Sequence, residues 1–583
     1  MQSSHGLKKT PINASFFPNE NEREDEHFEN LDHSPTTTAP ASEAGFSGGE
    51  KTADVKSKKK IILVQFEEND PENPMNWSTG RKWTITILLN LMTLIIGLST
   101  SAYSSGITSM SEEFGVATVV GQVGMFTFNA ACAIAPLFVA PLCELTGRRY
   151  IYLGAFLCFT LVDLMLALGK NIGTEIVGRL LSGLFGSIGT ILVGGTFADM
   201  FVPRDRSVPM SVFTFAAIFS TIAAPLYCGF IDQSLGWRWI QWIHMIAAGV
   251  LLIAEFIFLK ESRGAVILKA RAASLRKETG DDRYRAPIEL ESDSIAQLFR
   301  ESSLRAIQLL YKEPVVFLFG FWIALAWGVV FLFLSAIPLA FAGNRGWNTG
   351  IAGLPYLGLI VGCFIGFATG FWQDSMYYKA MDNNNGVPVP EARLYGAMVF
   401  GPLFPIGIIM FSFTQYGFVH WIAPIIALVL IILGIYHIFL AVYNYTSDSY
   451  AEYSSSAIAG QGFMRNMFAA SFPLFATQMF KGMGYQWAGL MIACIGFCLV
   501  PLPFVLFKYG ASIRAKSKFA ASNTGLSADE DEQGAPNGKK LNGRATYDDE
   551  KENKQIEAQM SSQTDTNQDL QSAGFGDQAA QRV

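Results

Sequence analysis

Twelve apolar runs of membrane-crossing length divide this chain, and few folds can accommodate them. They cover about 83–104, 119–142, 150–169, 176–200, 207–231 and 239–259, then about 315–342, 351–372, 394–414, 419–443, 455–480 and 485–508. Each is close to the ~20 residues that carry an α-helix across ~30 Å of hydrocarbon. No water is present there to satisfy backbone N–H and C=O groups, so runs this long must be helical. Only 16% of the residues are charged, against roughly 25% in soluble domains, and those charges gather at the ends and in the middle. The expected fold is all-α and polytopic, with twelve transmembrane helices and the lipid bilayer as solvent.

One polar segment splits the runs six and six, which predicts two structurally related halves. The expected units are an N-terminal tail (1–82), a first six-helix bundle (83–259), a central loop (260–312), a second six-helix bundle (313–508) and a C-terminal tail (509–583). Residues 1 to about 60 and about 520–583 are polar and expected to be disordered. No apolar stretch near the N-terminus resembles a cleavable signal. Trp77 among basic residues fits an interfacial anchor, and residues 270–278 have helical propensity. Arginine and lysine in the short loops number six on one side (Arg148, Arg149, Arg204, Arg206, Lys379, Arg393) and four on the other (Lys170, Arg238, Arg345, Lys481). With Lys56–Lys60, Arg514, Lys516 and Lys518 added, both termini and the central loop are expected to be cytoplasmic.

The six histidines form no metal box, and the seven cysteines are scattered through apolar runs as packing residues. No phosphate-binding Gly-x-x-x-x-Gly-Lys-Ser/Thr loop occurs, so neither a cofactor, a metal, an enzyme activity nor a built-in ATPase is expected. The net charge of −6 comes largely from acidic tails and points to no nucleic-acid partner.

Charges inside the runs are functional candidates, because an ionisable group at that depth costs roughly 2.5–3.5 kcal/mol. Arg179 is foremost; Asp163, Asp199, Glu255 and Arg465 are the others. His437 titrates near neutral pH in its ordinary state. Asn129 is a polar group on an apolar run that would meet substrate or a neighbouring helix. Gly358, Gly362, Gly366 and Gly370 recur every four residues and form one helix face for close packing. Ser220, Ala224, Pro225, Cys228 and Gly229 predict a tightly packed, slightly kinked fifth span.

Between the second and third runs lies the hinge Glu144-Leu-Thr-Gly-Arg-Arg149. It resembles the signature loop of the major facilitator superfamily. Arg179 with Ser182, Gly183 and Gly186 resembles that superfamily's span-four motif tied to proton coupling, with Ser182 where a glutamine is common. Residues 220–229 resemble the span-five antiporter motif, with Ser220, Ala224 and Cys228 in place of glycines. Asn73-Pro-Met-Asn-Trp-Ser78, Gly236-Trp-Arg-Trp239, Pro390-Glu-Ala-Arg-Leu394 and Phe472-Pro-Leu-Phe475 place the chain near the fungal twelve-span drug:proton antiporters.

The resemblance implies a monomeric rocker-switch transporter whose central cavity lies between the two bundles. Protons would drive a small-molecule substrate outward: a lipophilic drug, toxin or secondary metabolite. A polyamine or other organic cation is the alternative substrate, and a non-transporting sensor the alternative function. Arg179 keeps its charge, so Asp163 is the expected proton carrier. Phe126, Phe128, Trp327, Phe331, Tyr356, Tyr436, His437 and Tyr443, with Asn129, are candidate cavity residues. The expected location is the plasma membrane, with the vacuolar membrane as alternative. At the hinge, Arg148 is expected to pair with Asp199, and Glu144 to sit at the N-terminus of span three. Gly147 and Arg149 complete this candidate latch.

Overall fold

The hinge glycine shows how the chain turns between helices. Gly147 has φ +92° and Gly236 φ +87°. Gly147, with Arg148, and Gly236 alone form the corners between long helices, both glycines in the left-handed region that suits glycine. The structure, a computed structural model, describes residues 61–520 other than 68, 203–204, 291–294, 385, 451–452 and 518. The side chains of 140–141, 144–145, 191 and 295–302 are likewise outside the description. The two expected disordered tails, 1–60 and 521–583, lie outside the described residues.

Six long helices come first: α1 (Thr79–Glu113), α2 (Thr118–Thr146), α3 (Arg149–Ala167), α4 (Ile172–Ile191, continued by Val193–Met200), α5 (Ser207–Leu235) and α6 (Trp237–Phe258). Two shorter helices follow, α7 (Gly264–Thr279) and α8 (Ile295–Lys312). The second set of spans is α9 (Pro314–Pro338), α10 (Tyr356–Asn383), α11 (Leu403–Thr414, preceded by Tyr395–Phe400), α12 (Ile422–Tyr450), α13 (Ser454–Met483) and α14 (Tyr485–Leu499) continued by α15 (Pro501–Ala515). Among the described residues, eleven helical spans are long and apolar enough to cross a membrane. The protein is therefore an all-α, multi-pass membrane protein. The run expected at 455–480 is the helix α13, which falls below the others in apolarity. It carries Gln461, Arg465, Asn466, Gln478 and Lys481. The last span, α14 with α15, continues to Ala515 rather than ending near 508.

Packing follows small residues. α1 packs on α5 and α6, α2 on α4, α9 on α13, and α10 on α12. A side chain at Gly183 would strike the Phe128 carbonyl, and one at Gly97 would strike Ser220. On α10, a Cβ at Gly358 would lie 2.8 Å from the Ile425 carbonyl, at Gly362 2.6 Å from that of Val429, and at Gly366 2.7 Å from the Tyr436 ring. This glycine face seats α10 on α12. Ala224 and Cys228 are buried on α5, which carries Pro225 internally. Gly229 packs against the Thr349 carbonyl, at 2.9 Å from an added Cβ. Contacts between the first and second sets run through α2–α13 and α5–α10.

A small folded unit lies beyond the helices, on the end that carries Arg148. Ile62–Leu63 (β1) pairs in parallel with Tyr284–Arg285 (β2). Val64, Leu268, Ala272 and Ala286 form its core, with Phe66 and Ile288 against them. Arg271 joins Asp70 at 2.6 Å, and Arg276 joins Glu289 at 2.8 Å. That hydrogen-bonded guanidinium holds the Glu289 carboxyl at about 2. α8 packs on both α2 and α13; Ser303 Oγ donates to the Leu137 carbonyl at 2.7 Å.

Candidate functional site

Three polar constellations are built into this frame. The first surrounds Arg179. Asn171 caps α4 by accepting from Thr174 N at 2.8 Å, and this fixes the start of the helix that carries Arg179 inward. Arg179 is fully buried. Its guanidinium donates to the carbonyls of Ser99 (3.3 Å) and Thr100 (3.2 Å) on α1. The Tyr103 and Phe128 rings each lie 4.5 Å away, an arrangement that favours a desolvated cation. Asp163 on α3 and Glu175 one turn before Arg179 are also fully buried, and Arg179 is the cation acting on both. Ser99 is the other polar side chain facing Asp163. Glu255 on α6 is buried apart from this group and, among the described residues, faces no charged partner. A small crevice beside the cluster is lined by Tyr103, Gly106, Met110, Trp237, Ile240 and Gln241.

The second constellation is the hinge. Arg148 Nε meets Asp199 Oδ2 at 2.5 Å, and Arg263 approaches Oδ1 of the same carboxylate at 3.5 Å. Asp199 and Asp448 both act electrostatically on Arg206. Glu144 is not at the start of span three. α2 runs on to Thr146, so Glu144 sits in the last turn of span two, the end where a helix dipole disfavours an acid. Its side chain lies outside the description. The acid at the start of α3 is Glu261, which follows α6. Its oxygens accept from Arg148 N and Arg149 N, both at 3.0 Å. A Cβ at Gly147 would come 2.6 Å from Glu261 Oε2, a second reason for glycine there. Arg149 Nη2 donates to the Phe256 carbonyl at 3.4 Å. Glu261 escaped the sequence reading because it falls in the central polar segment, far from the hinge in sequence. In the second set, Arg393 has a comparable place between α10 and α11. Its Nε meets Asp448 at 2.9 Å, and its guanidinium lies 3.3 Å over Tyr377.

The third constellation gathers some aromatic candidates and leaves others out. Trp327 packs on Phe331 and Phe439, and Phe439 on Tyr443, with ring centroids 5.9, 4.9 and 5.5 Å apart. Arg465 on α13 donates to Tyr443 OH at 2.8 Å and lies 5.4 Å from the Trp327 ring. Tyr356 instead tethers α9, donating to the Leu334 carbonyl at 3.1 Å. Tyr436 faces Gly366, and its hydroxyl reaches the Ser211 carbonyl at 3.5 Å. His437 stacks on Phe400 and shares a 2.9 Å hydrogen bond with Thr369. Asn129 is buried and donates to Met125 O on its own helix at 3.0 Å, while Phe126 is half-buried. Asn466, unremarked in the sequence, donates to the Cys132 carbonyl at 3.1 Å and so joins α13 to α2.

Comparison with known proteins gives one consistent answer. A family model described as Major Facilitator Superfamily matches residues 89–473. The "MFS-type efflux pump MFS2" of Trichophyton rubrum is 36% identical over 460 residues, 79% of this chain and 77% of that one. The "Major facilitator superfamily multidrug transporter mdrA" of Aspergillus fumigatus is 34% identical over 462 residues, 79% and 76% of the two chains. In three dimensions the chain is similar to the proton:xylose symporter XylE bound to 6-bromo-6-deoxy-D-glucose, with TM-score 0.53 and 16% identity. That match covers 74% of this chain and 96% of the symporter and speaks to the fold alone.

Proposed function

The chain belongs to the Major Facilitator Superfamily, and from that premise we propose that it is a proton-coupled exporter of lipophilic small molecules. Its working unit is twelve crossing helices in two six-helix bundles, with α13 as the twelfth crossing helix, its Gln461 and Asn466 buried. The Arg148 end is cytoplasmic, and the membrane is the plasma membrane. Secondary transport follows from the family; the printed roles of the two fungal relatives, an efflux pump and a multidrug transporter, favour export.

The observation that carries proton coupling is the Arg179 cluster. A guanidinium holds its charge throughout, whereas Asp163 and Glu175 beside it are able to exchange a proton. Asp163 is the carrier in this reading. Its protonation state alters the charge balance around Arg179 and biases the two access states. The Arg148–Asp199 pair and the Arg393–Asp448 pair hold the cytoplasmic end closed, and Arg206 feels both acids.

Proteoliposomes test this directly. An imposed proton gradient is expected to drive a neutral lipophilic dye against its gradient, and a protonophore is expected to stop it. Asp163→Asn should abolish the gradient-driven movement. Unchanged pH-driven transport in that variant would remove Asp163 from the carrier role, and absence of counterflow in the unaltered protein would overturn export.

A further inference from the structure

Arg465 is a cation at membrane depth with no counter-charge among the described residues. It lies eleven residues into α13, roughly 17 Å along the helix axis at 1.5 Å per residue. Between residues 314 and 518 the acids are Asp374, Asp382, Glu391, Asp448 and Glu452; Asp374, Asp382 and Asp448 lie in the C-terminal parts of α10 and α12, and Glu391 precedes α11. Among the described residues no carboxylate pairs with Arg465. Its Nε is buried without a hydrogen-bond partner. A lone guanidinium at this depth is costly, and such groups persist where they act on something.

Its surroundings say what that is. Tyr443 OH accepts one N–H and aims the guanidinium. Trp327 and Phe439 present ring faces 5.4 and 5.7 Å from it, which stabilise the cation only in part. The other side is the boundary with the first helix set: the next residue, Asn466, donates to the Cys132 carbonyl on α2. Arg465 is itself only half-buried, although α13 packs on both α9 and α2. A planar fork of donors beside an aromatic wall matches a carboxylate attached to an aromatic body.

We infer that Arg465, aimed by Tyr443 and walled by Trp327 and Phe439, is an anion subsite for lipophilic aromatic carboxylates. This rests on the export reading and names the substrate class of that site. An organic cation is disfavoured there by the same charge.

The test uses full-length protein in phosphatidylcholine nanodiscs, where no anionic lipid competes. The probes are 1-naphthaleneacetate and its neutral isostere 1-naphthaleneacetamide, with binding read by tryptophan fluorescence. The acid is expected to bind at least ten-fold more tightly than the amide. Arg465→Gln should bring the two dissociation constants together, and Arg465→Lys should keep part of the gap. Tyr443→Phe, which retains the ring packing, should narrow the gap two- to five-fold. Equal binding by the unaltered protein, or an undiminished gap in Arg465→Gln and Tyr443→Phe, overturns the subsite. The two readings fail separately. Gradient-driven movement of both probes without a binding preference removes the anion subsite alone. A binding preference without gradient-driven movement removes export and leaves the subsite standing.

Discussion

Arg179 and Arg465 are both guanidinium groups held deep in apolar helices, yet the protein surrounds them differently. Arg179 is fully buried, meets two backbone carbonyls and two rings, and has Asp163 and Glu175 beside it. Arg465 is half-buried, meets one hydroxyl and two rings, and has no acid in the interior of its own helix set. The first is one cation with two acids nearby, which in the proposed export reading a proton tips. The second is an open balance that an outside anion can complete. Both sites touch α2: Arg179 lies over the Phe128 ring, and Asn466, next to Arg465, donates to the Cys132 carbonyl.

The comparison is broken most severely at Arg179. Arg179→Gln removes the one cation acting on Asp163 and one of the two acting on Glu175, and is expected to reduce gradient-driven transport by about 100-fold or more, since removing one partner of a buried charge group costs about 3–5 kcal/mol. Proteoliposome flux at matched protein density measures it. Closing the open balance comes next. Cys132→Asp would give Arg465 a counter-charge, and the preference for 1-naphthaleneacetate over its amide should fall about ten-fold, the loss of one charged hydrogen bond. A preference that survives this substitution would mean that Arg465 does not recognise the anion.

Charges at the Arg148 end are balanced too, but nearer to water, so the effect is smaller. Arg148→Asp or Asp199→Arg alone should lower transport about ten-fold, and the double reversal should restore much of it. Failure of the reversal, with normal membrane insertion, would reduce the pair to a determinant of topology. Gly147→Ala strains a left-handed backbone and crowds Glu261. The expected destabilisation is about 1–3 kcal/mol, read as a lower melting temperature in detergent.

The weakest effect belongs to the unit around β1 and β2. Glu289 has an ordinary value of 4.5 and is held at about 2 by Arg276. A depressed acid stabilises fully above its unfolded value and loses that contribution as pH falls through the folded one. Hydrogen exchange at Val64 and Ala286 should therefore accelerate between pH 4.5 and about 2, before the membrane helices respond. Arg276→Gln should shift that loss to higher pH.

Much of this architecture was legible in the chain, for a physical reason: hydrocarbon length and the absence of charge mark crossing helices without any tertiary information. Arg179 and the Arg148–Asp199 contact were legible because charges are rare in such runs. What the sequence hid are relations between distant segments. Glu261 caps α3 from beyond α6, and nothing local to either segment announces it. Glu144 was misplaced because the apolar run ends before the helix does; α2 continues through its polar last turn to Thr146. The aromatic candidates divided poorly because interior and lipid-facing surfaces are equally apolar in a membrane protein. Tyr356 and His437 are held by contacts inside the second helix set, while Trp327 and Tyr443 join Arg465.

The β1–β2 pairing sets an order of assembly. Ile62 finds its partner at Tyr284, more than two hundred residues later. All six helices α1–α6 lie between them, so a growing chain holds the first strand unpaired until that whole set has left the ribosome. Closure of this short ladder therefore timestamps completion of the first helix set during biosynthesis. A chain arrested before residue 284 would display an open strand edge to quality control.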